Sequence, residues 1–506
     1  MKRGIQIPPI DSEGNVQSEL TLTEKIVALL KVDALLNSVV LMAIIIGFFH
    51  GWLKLKFRHP ATTFLFDFFL FLALALVFLR LKQGEDFFPR GKVGGAIKAF
   101  FALCFIYILP SFALETMPPT LVALSALRSW CFSMLVFCLG YHMTRNIAQV
   151  KGYFYCLILC GVVTALYGLQ QSPEEIERMA REDPYFAERY KFQRYISEEG
   201  KSHLRVFSTF ISSGAFGSTM AYVLIFATVL LTEPRARKME RYLLIGAMIP
   251  IAYGMLLSGA RTSLVSLAMG FLVIAWFRRN FQNYVIVPGL ILLAFKLAGG
   301  ATEGAVLQRF GTLADLESIF ARSWIPTSGG LEFMAENWLG GGLGRTGYVP
   351  FFLLGRTGFN DYVSVDGDLG RLMIELGIPG LIFFGAVIWH ASKLSYQSLV
   401  EVRESNAGSV ALASAACFVM ALGTFPSGSP FVGIPMGALT WFFLGTLQKL
   451  SEEHRSEAFN QSTPDPDSDP LPKKRFLFRS TRRKIKEPSP PLPTVAPRPK
   501  RRSRWL

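Results

Sequence analysis

The sequence predicts an all-α polytopic integral membrane protein with about 12 transmembrane helices. The first observation is composition: 51% of the 506 residues are hydrophobic, 44 of them are Phe, and the mean hydropathy is +0.36. The second is that apolar runs long enough to cross a hydrocarbon core of about 30 Å recur along most of the chain. The third is that the polar residues concentrate in a few loops and in the C-terminal tail, so these loops and the tail are expected to lie in water.

The predicted spans divide the chain into three parts. Residues 1–33 are a cytoplasmic lead, residues 34–448 form the transmembrane domain, and residues 449–506 form a tail. The twelve predicted spans are residues 34–53, 61–80, 97–114, 121–143, 152–170, 212–232, 242–258, 262–277, 283–299, 371–391, 409–424 and 429–448. Two connections are long: 171–211, and 300–370 between the ninth and tenth spans. Long ordered loops usually carry function, so the second is the first place to look for a site.

The orientation follows from the basic residues in the short loops. With the N-terminus in the cytoplasm, Arg235, Arg237 and Arg278 face inward, whereas the outward connections 115–120 and 425–428 have no basic residue. Two features oppose this orientation, namely the basic residues just after the first span and seven basic residues in 171–205. Most of the basic residues in the short loops nevertheless place both termini inside and both long loops outside.

The formal charge of +15 belongs mostly to the tail. Residues 472–506 hold thirteen Lys and Arg and one acid, a contribution of +12. This Pro-rich basic segment cannot bury a core, so we expect it to be disordered and to meet anionic membrane lipid. No nucleic-acid partner is expected from the body of the chain. All six cysteines lie in apolar stretches, which predicts neither disulfides nor a metal site.

The 171–205 connection has helical signals of its own. Ser172-Pro173 followed by Glu175 predicts a capped helix start. Asp183-Pro184 predicts a second short helix, whose aromatic residues are Tyr185, Phe186, Tyr190, Phe192 and Tyr195. Both helices are expected to lie at the outer lipid interface.

Arginines are the leading candidates for binding. Arg261 lies in the tight reversal between two spans, Arg205 at the entry to a span, and Arg128 about two turns inside one. With Arg309 and Arg322 of the 300–370 loop, all fall on the predicted outer side. Guanidinium groups bind phosphate oxygens in pairs, so this set suits a polyanion. The alternative for each is an interface anchor whose head reaches water.

Acidic residues near the end of the large loop are the candidates for catalysis. Asp366 and Asp368 precede a helix predicted to start near Leu369, where they could cap the helix or act as a general base. Glu375, one turn inside the span, is a third candidate or the partner of an arginine. The loop contains no His, and its glycine run 340–344 lacks the following Gly-Lys-Ser/Thr of a phosphate loop.

In their order, these segments resemble the O-antigen ligase/polymerase superfamily of bacterial envelope glycan enzymes. The similar segments are Arg205-Val-Phe-Ser-Thr-Phe, Ser258-Gly-Ala-Arg-Thr-Ser, Arg309-Phe-Gly-Thr-Leu, Ala321-Arg-Ser-Trp, Asn337-Trp-Leu-Gly-Gly-Gly-Leu-Gly and Asp366-Gly-Asp-Leu-Gly-Arg-Leu-Met-Ile-Glu-Leu-Gly-Ile-Pro-Gly. The resemblance covers roughly residues 200–390, and the earlier spans match only in hydropathy.

The resemblance implies a cofactor-free, metal-independent transferase in the bacterial inner membrane. Such an enzyme takes glycan from a polyprenyl-diphosphate donor at the outer face, with Arg205 and Arg261 holding the diphosphate. The resemblance also allows other envelope-glycan assembly proteins as binding partners. The ligase branch commonly has a His at or beside the position of Asp366, and its absence here favours a polymerase of O-antigen or exopolysaccharide.

Two other functions fit part of the sequence. A secondary transporter or exporter of a lipid-linked glycan would also bind an anion, but transporters usually show broken helices in two repeated halves, and no such repeat is found here. A membrane scaffold whose tail binds anionic lipid would explain the tail and leave the outer loop unexplained.

Overall fold

The computed structural model describes residues 22–462 with gaps. The gaps are positions 58, 60, 82–84, 115–116, 183–185, 188–192, 197–201, 279–280, 302–309, 312–315, 347–364, 366 and 403–406. The chain divides into two compact units, Met1–Glu457 and Ala458–Leu506. In the second unit, the described residues are the helical residues 458–462.

Fourteen α-helices account for most of the described residues. The first six are α1 (Leu22–Phe57), α2 (Ala61–Arg80), α3 (Lys92–Ile108), α4 (Thr120–Met143), α5 (Ile147–Leu169) and α6 (Pro173–Glu182). An antiparallel pair follows, β1 (Arg194–Ile196) and β2 (Ser202–Leu204), with Tyr195 opposite His203. The next helices are α7 (Ser213–Leu231), α8 (Lys238–Leu257), α9 (Arg261–Arg278), α10 (Phe281–Ala301) and α11 (Leu316–Glu336). The last three are α12 (Asp368–Glu401), α13 (Gly408–Thr424) and α14 (Met436–Ser462).

Eight helices in the described part of the chain are long and apolar enough to cross a membrane. They are α1, α3 with the 3-10 turn that extends it, α4, α5, α7, α8, α9 and α12. Exposed phenylalanines cover α2, for example Phe71 at 66% and Phe78 at 65% exposure, as expected of a surface facing lipid. The chain is therefore an all-α, multi-pass membrane protein. Each of the twelve predicted spans overlaps a helix, and their number remains a prediction.

Helix α7 forms the centre of the helix packing. It contacts α5, α8, α9 and α13, and almost all of its side chains are buried. Its small residues allow close neighbours: a Cβ built on Gly217 would lie 2.3 Å from the Ser258 hydroxyl oxygen. Helices α4 and α14 cross with similar closeness, since a Cβ on Gly140 would lie 1.9 Å from the Phe442 carbonyl oxygen. Small residues at such crossings are typical of packed membrane helices.

Antiparallel neighbours give the first unit two ends. One of them is the end at which α1, α3, α5, α8 and α13 finish and α4, α7, α9, α12 and α14 begin. We call this end the site end. There Thr209 Oγ1 donates to the Phe48 carbonyl oxygen at 2.6 Å, joining the segment before α7 to α1. At the opposite end, Arg455 Nη2 lies 3.0 Å from Glu401 Oε1, joining α14 to α12.

Four predicted boundaries differ from the structure. Helix α1 begins at Leu22, inside the predicted lead. Tyr195 lies in strand β1 rather than in a second interface helix, because the backbone of 194–196 pairs with 202–204. The predicted span 429–448 becomes helical only at Met436, since Pro430 and Pro435 cannot donate helical hydrogen bonds. Helix α14 continues beyond the predicted tail boundary at 449 as far as Ser462.

The first helix of the 171–205 connection agrees with its capping signal. The Ser172 hydroxyl accepts a hydrogen bond from the Glu175 backbone N–H at 3.2 Å, and Pro173 is the first residue of α6. Ile176, on the apolar side of this helix, is fully buried against Phe186 and Phe207. This small cluster fixes α6 beside the segment that leads into α7.

Candidate functional site

Arg205 and Arg261 are brought to the same part of the site end. Arg205 Nε donates to the carbonyl oxygen of Ser258 at 3.1 Å, and Ser258 belongs to the reversal that ends at Arg261. The backbone reinforces this contact, because the Val206 N–H donates to the Leu257 carbonyl at 3.2 Å. The two arginine-bearing segments, 53 residues apart in sequence, are therefore fastened to each other.

The reversal at 258–261 rests on the first turns of α7. Gly259 has a φ of 58°, the left-handed region that favours glycine. The Ser258 hydroxyl donates to the Met255 carbonyl at 2.5 Å and accepts from the Ala260 N–H at 3.2 Å. Gly217 makes room for this turn, so any larger residue there would push it away from α7.

Two glutamines, which no sequence motif predicted, hold the segment that follows Arg205. Gln171 Oε1 accepts from the Ser208 N–H at 2.8 Å, while its Nε2 donates to the Ser208 carbonyl at 2.9 Å. Gln193 Oε1 accepts from the Ser213 N–H at 2.9 Å, and its backbone carbonyl accepts from the Arg205 N–H at 2.7 Å. Ser208 has a φ of 54°, unusual for serine, and the side-chain clamp from Gln171 explains how it is held there.

Arg128 has a partner inside the protein. It forms an ion pair with Asp67 of α2, and its guanidinium carbon lies 5.2 Å from the centre of the Phe64 ring. Charges within a membrane usually pair in this way. Asp67 is the single acid in the otherwise apolar span 61–80, a sequence signal that could have identified it as a partner for a buried cation. This pair joins α2 to α4 and accounts for Arg128 without a ligand.

The remaining predicted arginines and one acid fall at or beyond the edge of the described structure. Arg309 and Asp366 lie outside the described residues, and Arg322 belongs to α11. Their proposed roles remain predictions.

Asp368 is the first residue of α12 and does not cap that helix. The N-cap position is Gly367, with a φ of 98°. Asp368 is fully buried, and its Oδ2 accepts from the Phe431 N–H at 2.9 Å and from the Val432 N–H at 3.3 Å. Its backbone N–H donates to the Gly428 carbonyl at 2.8 Å. Asp368 therefore fastens the segment between α13 and α14 to the start of α12.

Glu375 is fully buried and is bonded on both carboxylate oxygens. Oε2 accepts from Trp130 Nε1 at 2.8 Å, and Oε1 accepts from Thr346 Oγ1 at 2.9 Å and from Arg371 Nε at 3.1 Å. Arg371 also lies over the Trp130 ring, 5.2 Å from its centre. The arginine partner expected for Glu375 is thus Arg371, and the carboxylate joins α4, α12 and the glycine-rich segment.

The glycine-rich segment 337–346 is hydrogen-bonded to the second and third turns of α12. The Gly341 N–H donates to the Ile374 carbonyl at 2.7 Å, and the Gly342 N–H donates to the Glu375 carbonyl at 3.1 Å. Helix α12 breaks at Gly377, where φ is 57° and ψ is −148°, and the Ile378 N–H donates to the Trp338 carbonyl at 2.9 Å. Non-helical backbone inside a membrane bundle needs such partners.

Three glycines of this segment adopt φ values open mainly to glycine, namely 82° at Gly340, 91° at Gly342 and 86° at Gly344. A Cβ on Gly344 would lie 2.7 Å from a Val122 methyl group at the start of α4. The run is therefore a packed connection wedged between α4 and α12, which agrees with the absence of a phosphate-loop signature in the sequence.

Among the residues that the structure describes, no three His, Cys, Asp or Glu side chains are grouped to hold a metal ion. No protein-family model and no curated protein sequence matches this chain. Within the described residues, the candidate site for binding and catalysis is therefore the pair of arginine-bearing segments at the site end. It lies beside helices whose buried acids hold the neighbouring loops in place.

Proposed function

We propose that the protein is a membrane glycosyltransferase, a polymerase or ligase, that transfers glycan from a polyprenyl-diphosphate donor to a glycan or lipid-linked acceptor. The observation that carries the proposal is the contact of Arg205 with the Ser258 carbonyl, which brings two arginine segments together at one end of the helices. Two arginine-bearing segments fastened together suit a diphosphate, because guanidinium groups bind phosphate oxygens. The order of the motifs supports the same function.

The proposed reaction needs no metal. A hydroxyl oxygen of the acceptor attacks the anomeric carbon of the donor sugar, and the bond from that carbon to the diphosphate oxygen breaks. Arg205 and Arg261 stabilise the negative charge that develops on the leaving polyprenyl diphosphate. Asp366 takes the proton of the attacking hydroxyl. Glu375 fits this role less well, because it is fully buried and both of its carboxylate oxygens are bonded to protein donors. Asp368 is fully buried too, and its Oδ2 is bonded to backbone donors.

The proposed topology has twelve spans in a bacterial inner membrane, with both termini in the cytoplasm and the site end outside. The basic residues of the short loops support it. Arg235, Arg237 and Arg278 lie at the opposite end, near the end of α7 and α9 and the start of α8, as cytoplasmic residues would. The polymerase branch is favoured over the ligase branch, since no His stands near Asp366 in sequence.

One observation favours the alternative of a glycan exporter. The break of α12 at Gly377 is an interruption of the kind that forms binding sites in transporters. Here, however, the backbone around the break bonds to segment 337–346 and so is already occupied. An exporter would move the donor and leave its sugar–diphosphate bond intact, so the chemistry of the product separates the two functions.

The test is turnover of a polyprenyl-diphosphate oligosaccharide by purified protein in detergent, with chelator present. We expect longer glycan and free polyprenyl diphosphate. Arg205→Ala and Arg261→Ala should each lower turnover by roughly 10- to 100-fold, since each charge-assisted hydrogen bond contributes about 1.5–3 kcal/mol. Lys at either position should restore only part of the rate, because it keeps the charge and loses the fork.

Arg237→Ala is the matched control, since Arg237 is an exposed arginine at the opposite end and its variant should turn over like the parent. Asp366→Asn should lower kcat and leave donor binding unchanged. Folded Arg205→Ala and Arg261→Ala variants with parental turnover would refute the diphosphate site. Intact donor after reaction with the parent protein would refute the transferase and favour the exporter.

A further inference from the structure

A cavity of about 550 Å³ lies at the opposite end of the first unit, away from the arginine pair. It is formed by the ends of α2 and α4, the connection before α3, and the polar part of α14. Its lining combines charged, aromatic and aliphatic side chains. This volume is in the usual range for small-molecule sites, and the proposed glycan transfer makes no use of it.

The lining contains four basic and four acidic side chains, and a fifth acid, Asp33, lies beside two of the bases. A pocket built for a plain anion or a plain cation would show an excess of the opposite sign. Nearly equal numbers instead suit a ligand that carries both charges, provided that the two signs lie in different parts of the wall.

The positive side is formed by Arg80 and Arg145. Both guanidinium groups face one carboxylate: Arg80 Nη1 lies 3.1 Å from Asp33 Oδ1, and Arg145 Nη1 lies 3.1 Å from Asp33 Oδ2. Two positive charges on one negative charge leave an excess of one. The Arg80 side chain is only 8% exposed, so this excess is held within the wall and is weakly screened.

The negative side is formed by α14. Glu452 accepts from the Tyr141 hydroxyl at 2.5 Å and from Gln448 Nε2 at 2.9 Å, both of them neutral donors. The neighbouring Glu453 pairs with Lys449 at 3.4 Å. Two acids with one base leave an excess of one negative charge, and the neutral donors fix the direction of the Glu452 carboxylate. Elsewhere in the lining, Arg90 pairs with Asp86, and Glu85 adds one more negative charge.

The lining also contains apolar groups. Val77, Leu81, Phe88 and Pro89 supply them, and the His142 ring is held by a contact of 2.8 Å between its Nε2 and the Phe87 carbonyl oxygen. The cavity opens where apolar helices end, which is the level of lipid headgroups in a multi-pass protein. A ligand with a short zwitterionic group and an adjoining apolar part would therefore find side chains complementary to each of its parts.

We propose that this cavity binds an aminoalkyl phosphate zwitterion, the headgroup chemistry of phosphatidylethanolamine. The phosphate binds Arg80 and Arg145, and the ammonium binds Glu452. Guanidinium groups match phosphate oxygens, and a carboxylate held by neutral donors keeps its charge for an ammonium. The same chemistry is present in membrane lipid and in free phosphoethanolamine. The proposal does not depend on the function of the site end.

The test is binding to the purified full-length protein in detergent, measured by native mass spectrometry. The probes are dihexanoyl-phosphatidylethanolamine, dihexanoyl-phosphatidylglycerol, which lacks the ammonium, and free phosphoethanolamine. We expect the ethanolamine lipid to bind about tenfold more tightly than the glycerol lipid, the contribution of one charge-assisted contact. Glu452→Gln should abolish this preference, and Arg145→Gln should weaken both lipids.

Glu240→Gln is the matched control. Glu240 lines a second mixed-charge cavity of about 380 Å³ at the same end and also accepts from a tyrosine hydroxyl, that of Tyr155. This variant should bind all three probes like the parent. Arg145 is 57% exposed, so Arg145→Gln should fold even if Glu452→Gln does not.

Binding of free phosphoethanolamine as tightly as the lipid would support a soluble ligand, whereas binding of the lipid alone would support a headgroup site. Equal affinity of the parent protein for the two lipids would overturn the proposal. So would a preference that survives Glu452→Gln, an unchanged affinity of Arg145→Gln for both lipids, or failure of all three probes to bind.

Discussion

Two fully buried carboxylates, Asp368 and Glu375, lie seven residues apart on α12 and hold different parts of the chain. Asp368 bonds to backbone N–H groups of 431–432, whereas Glu375 bonds to side chains of α4, α12 and segment 337–346. A buried charge is tolerated when its oxygens are bonded, and its loss leaves the partners unsatisfied. At the scale of single residues, these acids therefore determine where neighbouring loops sit.

The Glu375 cluster gives a graded prediction for stability. Glu375→Ala leaves the Arg371 charge buried together with two unpaired donors, so unfolding should become easier by about 3–5 kcal/mol. Trp130→Phe keeps a ring under Arg371 and removes one hydrogen bond to a charged group, a loss of about 1.5–3 kcal/mol. Thermal unfolding in detergent should rank the parent above Trp130→Phe and Trp130→Phe above Glu375→Ala.

Glu375→Gln separates anchoring from catalysis. It keeps the size of the side chain and one carbonyl acceptor, so a folded variant should retain most of its turnover once its stability is taken into account. A stable Glu375→Gln protein that binds donor and has no turnover would return Glu375 to the list of catalytic acids.

At the scale of helices, close approach at glycines fixes the packing. A Cβ on Gly140 of α4 would lie 1.9 Å from the Phe442 carbonyl oxygen, and a Cβ on Gly445 of α14 would lie 2.0 Å from the Phe137 carbonyl oxygen. The two helices thus meet backbone to backbone at reciprocal glycines. Backbone atoms cannot rotate away as a flexible side chain can, so the helices would have to separate.

Gly140→Ala should therefore destabilise the protein. Overpacking usually costs about 1–3 kcal/mol, and contact with rigid backbone places this variant at the upper end. Gly152→Ala in α5 is the control, since no atom lies within 4 Å of its added Cβ. Alanine there should be neutral or stabilising by up to about 1 kcal/mol. Equal melting temperatures of the two variants would contradict the reciprocal glycine contact.

At the scale of the whole molecule, the two ends of the first unit carry different chemistry. The site end holds Arg205, Arg261 and the buried acids of α12, whereas the opposite end holds the mixed-charge cavity and ion pairs such as Lys151 with Glu233 at 2.5 Å. The proposed function requires the first end to face outward.

Cysteine labelling tests this orientation. Ser328→Cys in α11 should react with an impermeant reagent added to intact cells, and Ser489→Cys in the tail should not. Five of the six native cysteines are buried and Cys156 is half-buried, so background labelling should be low. Labelling of residue 489 in place of residue 328 would reverse the topology.

Truncation tests where the transmembrane domain ends. A chain ending at Ser462 keeps all of α14 and should match the full chain in melting temperature and turnover. A chain ending at Gln448 loses the bonds from Ser451 and Arg455 to Glu401 at 2.9 and 3.0 Å, and the Tyr141–Glu452 contact. It should melt at a lower temperature in detergent. Equal melting of the two truncated chains would show that these contacts add nothing to stability.

The sequence by itself determined the class of the protein and the positions of its apolar helices. Hydropathy and helix length are local properties, readable within about twenty residues. The same holds for the capped start of α6 at Ser172-Pro173. The motif order also singled out Arg205 and Arg261, which the fold brings to one place. What these residues bind remains a prediction.

Only the tertiary structure decided which groups satisfy one another. Trp130 and Glu375 are separated by 245 residues, and Arg128 and Asp67 by 61. A local pattern can single out an acid such as Asp67 in an apolar span, but it cannot tell which distant group that acid pairs with. The polar end of α14 likewise depends on distant partners in α4 and α12. The strand at Tyr195, in contrast, pairs with His203 only eight residues away, and its aromatic residues had suggested a helix instead. Hydropathy reports how apolar a segment is, whereas a buried charge is stabilised by whichever donor the fold places beside it.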